Sequence, residues 1–137
     1  MKLAKHIIVD LDAILNDIRY NRIEVKAVKS VLLKEHLALH KVASEAMAVK
    51  EEISRKFQED WMEEIAAIEK ARAENKPICK SAKLAEAEAD ANNTLDEIFS
   101  EEVDIDIAAV DKDAVLDNAG DITFGQIAFL VDNGIIE

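Results

Sequence analysis

From Val25 to Lys56 the chain repeats apolar side chains at alternating intervals of three and four. The stripe reads Val25, Val28, Leu32, Glu35, Leu39, Val42, Ala46, Val49, Ile53 and Lys56, polar only at Glu35 and at its end. That spacing keeps one face of an α-helix apolar over about four heptads. No Gly or Pro interrupts it, and Ala, Leu, Lys and Glu fill most other positions, so local propensity agrees with the pattern. Such a helix is about 48 Å long at 1.5 Å per residue. Its neighbours in sequence are too short to cover it, so the other elements lie along it or a second chain does.

The rest of the composition points the same way. Half of the 137 residues are hydrophobic although 34% are charged, which argues against a disordered chain. With an aromatic share of 4%, the core has to be aliphatic. Three Gly and one Pro are too few turn formers for an all-β domain. The expected fold is therefore mainly α: a long helical hairpin or rod with short flanking helices and a minor β-strand element. One domain over 1–137 is the default for this length.

Taken in order, 1–22 reads as a lead-in and a short helix. Lys2 to Val9 alternates weakly, as an edge strand or extended segment, and Asp10 or Asp12 offers an N-cap for a face of Leu11, Ile14, Leu15 and Ile18. The long helix covers 23–75, continuous or gently interrupted near residue 58, where Gln58-Glu59-Asp60 separates the stripe from Trp61, Met62 and Ile65. Pro77 ends it. An antiparallel helix over 81–99 is rich in Ala. At 102–137 the period changes to two, with Val103, Ile105 and Ile107 opposite Glu102, Asp104 and Asp106, as in a half-buried strand. Asp117-Asn118-Ala119-Gly120 reads as a turn. Thr123 with Gln126 predicts a capping box and Ile122 with Ile127 its hydrophobic staple, and Asn133-Gly134 stops this last helix before the apolar pair Ile135-Ile136.

The net charge of −12 is unevenly placed: residues 1–56 carry +3, 57–95 carry −4 and 96–137 carry −11. An acidic last third repels phosphates, so direct nucleic-acid binding is not expected, and a basic protein surface is its natural complement. Candidate interaction residues are Glu101, Glu102, Asp104, Asp106, Asp111 and Asp113, with the sole tryptophan, Trp61, as a core plug or interface anchor. The single cysteine, Cys79, excludes an internal disulfide. No apolar run predicts a signal peptide or a membrane span, so a soluble intracellular protein is expected.

Little in the sequence carries chemistry. His36 and His40 stand four apart on the long helix, a spacing at which two imidazoles can share a metal ion. A site needs a third ligand, and the pattern brings neither His6 nor Cys79 near. The expectation is no metal, with both histidines flanking the apolar seam. Asp111 to Leu116 lacks the third acid and the Gly of a calcium loop. Cys79 has Lys76 and Lys80 nearby but no His close in sequence to serve as its base. Every glycine lies beyond residue 119, so there is no phosphate-binding loop. No catalytic residue and no cofactor are expected.

Several short motifs resemble those of small uncharacterised helical proteins encoded by tailed phages and prophages. They are Ile23-Glu24-Val25-Lys26 at the start of the long helix, Leu95-Asp96-Glu97-Ile98 running into Glu102-Val103-Asp104-Ile105, and Gly120-Asp121-Ile122-Thr123 before the last helix. The resemblance covers 8–57 and 92–136. Where those proteins turn after a Lys-Tyr-Gly-like sequence, this chain has Lys56-Phe57-Gln58, and Gln58 to Lys83 resembles a helical insertion. The resemblance implies a phage context, in the host-cell cytoplasm or in a virion, and brings no established activity or catalytic residue to carry over. Two functions follow as expectations: a non-enzymatic structural, assembly or interaction protein acting through helical faces, and an acidic inhibitor of a host nucleic-acid enzyme, anti-CRISPR-like, in which 96–137 mimics phosphates. The Ala-rich helix spans only about 28 Å of a rod of about 48 Å, so a homo-oligomer is expected to cover the remainder.

Overall fold

The computed structural model describes residues 1–117 and 122–137, and the turn read at 117–120 lies, beyond Asp117, outside them. The chain is mainly α. Strand β1 (Lys2–Ala4) leads directly into helix α1 (Lys5–Asn16), and a short 3-10 turn at Tyr20–Arg22 precedes α2 (Lys26–Asp60). Then come α3 (Met62–Ala73), α4 (Ala82–Ser100), strand β2 (Glu102–Asp104), α5 (Lys112–Leu116) and α6 (Phe124–Asp132). Where the sequence suggests one domain, internal contacts divide the chain into two compact units, Met1–Ala46 with Ser100–Glu137, and Met47–Phe99.

The first unit holds the hydrophobic core. Ile8, Leu11 and Leu15 of α1 are fully buried with Leu32 and Leu39 of α2, Val115, Leu130, Ile135 and Ile136. The helical period thus reaches back through Ile7-Ile8-Val9, and the expectation of an N-cap at Asp10 or Asp12 is corrected. Strand geometry ends at Ala4, and Asp12 lies inside α1 on its buried side. β1 pairs antiparallel with β2, Leu3 opposite Val103. The strand at 102–104 is shorter than the alternating pattern, but the alternation of burial continues, Ile105 being buried and Asp106 exposed.

Burial follows only the centre of the α2 stripe. Leu32, Glu35, Leu39, Ala43 and Ala46 are buried, whereas Val25 precedes the helix and is 48% exposed and Val49 is 42% exposed. The chain end is docked: Val110 accepts from the Glu137 amide and donates to the Ile135 carbonyl. The Thr123–Gln126 capping box opens α6, and Gly134, at φ +75°, follows its C-cap residue, Asn133. A residue in the left-handed region is the usual way to close a helix.

The second unit is built from Met47–Asp60 of α2, α3 and most of α4. Trp61 alone separates α2 from α3. Its φ of −119° departs from helix, yet the backbone bonds Trp61 N to Phe57 O and Ile65 N to Trp61 O run through the joint. This is a gentle interruption without Gly or Pro. α3 closes with Asn75 at φ 53°, its amide bonded to Arg72 O and that of Lys76 to Ala71 O. These are the paired bonds of a Schellman stop. Ser81 then accepts from the Leu84 amide to cap α4, while the Glu64 carboxylate accepts from the Ser81 amide and hydroxyl. Lys50 shares a groove with Phe99, and Trp61 shares one with Ala87, so this part of α2 and α4 run antiparallel.

Candidate functional site

The first unit brings three metal-competent side chains together: Asp12 from α1, and His36 and His40 from consecutive turns of α2. On a helix, residues four apart face the same way, and the two rings stand edge to face with centroids 6.2 Å apart. Nε2 of His36 and Nδ1 of His40 each lie 3.1 Å from the same Asp12 oxygen, Oδ1. The farther nitrogen of one ring and the nearer nitrogen of the other take up the offset of one helical turn. Asp12 is placed here because it sits on the face of α1 that buries Ile8, Leu11 and Leu15. A carboxylate on such a face requires partners, and the histidines provide them.

Both outer ring nitrogens are also engaged. His36 Nδ1 lies 2.9 Å from the Tyr20 hydroxyl, and His40 Nε2 lies 3.2 Å from the Ser44 hydroxyl. A continuous network therefore runs Tyr20–His36–Asp12–His40–Ser44. Burial pushes the His36 pKa down, against the pull of the neighbouring Asp12 charge. Burial pushes the Tyr20 phenol up, and the charges of Asp12 and Glu35 add to this, so Tyr20 stays a neutral hydroxyl.

The expectation that His36 and His40 lack a third ligand is thus corrected by Asp12, which the sequence reading assigns to a cap. The signal was present: an acid at helical spacing from Ile8, Leu11 and Leu15, facing a core with two histidines beside the seam of the next helix. His6 and Cys79 stand outside this cluster. Cys79 is exposed, and its neighbours Lys76 and Lys80 pair with Glu74 and Glu88.

The acidic residues do not form a site of their own among the described residues. Glu101 pairs with Lys5 at 2.7 Å and Asp104 with the N-terminal ammonium at 3.0 Å. The ammonium holds the Asp104 carboxyl below its usual range. Asp111 accepts from the Asp113 amide as the N-cap of α5, and Glu102, Asp106 and Asp113 are exposed. Trp61 is half-buried at the α2–α3 joint. No helix among the described residues is long and apolar enough to cross a membrane.

Comparison of the chain with protein-family models, with curated proteins and with solved structures finds no match.

Proposed function

We propose that this chain is a phage-encoded, non-enzymatic interaction protein that acts through the helical faces of its second unit, with a second copy of itself as the first partner. The observation that carries the reading is how little Met47–Phe99 buries. Among its described residues Leu84 alone is fully enclosed, while Ile53, Phe57, Trp61, Ile65, Leu95 and Ile98 are only half-buried. None of them belongs to the hydrophobic core cluster. Isolated helices without tertiary burial are marginal in water, so a partner surface that covers these side chains supplies stability the unit lacks. Between α2 and α4 lies an open groove of about 250 Å³ lined by Ile53, Phe57, Ala91 and Leu95, suited to an apolar side of another helix.

The test is sedimentation equilibrium at micromolar concentration and moderate salt. A mass of twice the 15.2 kDa chain, returned to one chain by Phe57→Asp, is expected. A single-chain mass throughout overturns self-association. Affinity capture from infected cells then decides between a virion component and a host enzyme as the partner, the latter being the outcome the acidic C-terminal third would favour.

A further inference from the structure

The geometry points to a divalent transition-metal site in the first unit, with Asp12, His36 and His40 as ligands to an ion of the Zn²⁺ class. The three donor atoms lie within 4.8 Å of one another, and both imidazole nitrogens are 3.1 Å from Asp12 Oδ1. An ion with bonds of about 2.0–2.2 Å spaces tetrahedral ligands roughly 3.3–3.5 Å apart. The side chains need only small movements to receive it.

The surroundings of the rings match the same use. Metal-bound imidazoles are held in orientation by a hydrogen bond from the second ring nitrogen. Here both second nitrogens have such a partner, Tyr20 for His36 and Ser44 for His40. Two neutral nitrogens and one carboxylate form a donor set for Zn²⁺, Co²⁺, Ni²⁺ or Fe²⁺. Calcium and magnesium, which take oxygen ligands, are disfavoured. The His40 side chain is 56% exposed, against 12% for Asp12, so the ion enters from the His40 side and solvent fills the remaining position. Bound there, it ties α1 to α2 between residues 24 and 28 positions apart.

Loading changes the tautomer of His36. Without an ion, Nε2–H donates to Asp12 and Nδ1 accepts from the Tyr20 hydroxyl. With an ion on Nε2, the ring proton moves to Nδ1 and is donated to the Tyr20 oxygen. His40 undergoes the converse exchange, its proton moving from Nδ1 to Nε2, toward Ser44.

The experiment is a Co²⁺ titration of the full chain, freed of any polyhistidine tag, followed by visible d–d absorption. Expected are saturation at one equivalent, displacement by Zn²⁺, and no sulfur-to-cobalt band, since Cys79 is outside the cluster. His40→Ala and Asp12→Asn should each weaken Co²⁺ by at least about a hundredfold, and Tyr20→Phe by about tenfold, with His6→Ala unchanged. Asp12 is buried and its variant can lose the fold, so His40→Ala at its exposed position decides, with far-UV circular dichroism to establish that it is folded. Absence of d–d bands, or bands that persist in folded His40→Ala, overturns the site and leaves a hydrogen-bonded network only. The result is independent of self-association, which depends on residues 47–99.

Discussion

The Glu35 carboxylate accepts a 2.7 Å hydrogen bond from the amide of Ala108, a residue 73 positions away. The one polar interruption of the apolar stripe is therefore a fastening for the segment between β2 and α5. Glu35 is 4% exposed, and its second oxygen, Oε2, is shielded from solvent with no hydrogen-bond partner. Burial raises its pKa, Asp106 raises it further, and the Ala108 amide opposes them without reversing the shift. The folded protein therefore holds the Glu35 proton more tightly than the unfolded chain does. The resulting stability is fully present below the ordinary value of 4.5 and is lost as pH rises through the folded value. Glu35→Gln keeps the acceptor and removes the titration. Relative to wild type it should gain stability as pH rises from about 4.5, in urea unfolding with a chelator present to keep metal ions out. Parallel pH profiles for the two proteins would refute this.

Leu39 and Val49 are positions of one sequence stripe with opposite fates, 0% and 42% exposed. Leu39→Ala should cost about 2–5 kcal/mol, as truncation in a filled core does. Val49→Ala should change stability by less than about 0.5 kcal/mol in the single-chain form. Equal losses would mean that the stripe is buried along its whole length.

The contrast also shows how far the sequence was legible. Periodicity identifies the long helix because three-and-four spacing is a property of the backbone. What lies against each turn is a property of distant elements, and the hydrophobic core takes in α2 only from Val28 to Ala43. The α6 capping box was readable because Thr123 and Gln126 interact within one turn. The Asp12–His36–His40 cluster was half readable: the histidines share a local spacing, while Asp12 arrives from a separate helix. Asp10 and Asp12 are also good caps in isolation, and that local signal concealed a helix already begun at Lys5. The short α5 has too few residues for a period, and Asp111 was its only local sign.

Thr123 tests the capping box alone. Its hydroxyl accepts from the Gln126 amide at 3.2 Å, and the Gln126 side chain accepts from the Thr123 amide at 3.0 Å. Thr123→Ala removes the first bond and leaves an amide of the first turn without its acceptor. A loss of about 1 kcal/mol is expected, with the far-UV spectrum retained because Leu130, Ile135 and Ile136 still dock. An unchanged melting curve would show that α6 is not part of the cooperative unit.

The two units should also differ in how they open. Protection from hydrogen exchange follows buried contact, and segments with few enclosed side chains open at lower free energy. The core cluster draws on α1, the first part of α2, α5, α6 and the chain end, whereas Met47–Phe99 encloses Leu84 alone among its described residues. Amides of Phe57 to Ala73 and of Ala85 to Phe99 should therefore exchange faster than those of Leu11 to Asn16 and Leu32 to Ala43 when the protein is dilute. Leu84→Ala should raise exchange in the 47–99 amides while leaving those of α1 unchanged. If a second copy covers the half-buried side chains, raising the protein concentration will slow exchange selectively at Phe57 to Ala73 and Ala85 to Phe99. Uniform protection across both units, independent of concentration, would mean that the second unit is stable without a partner.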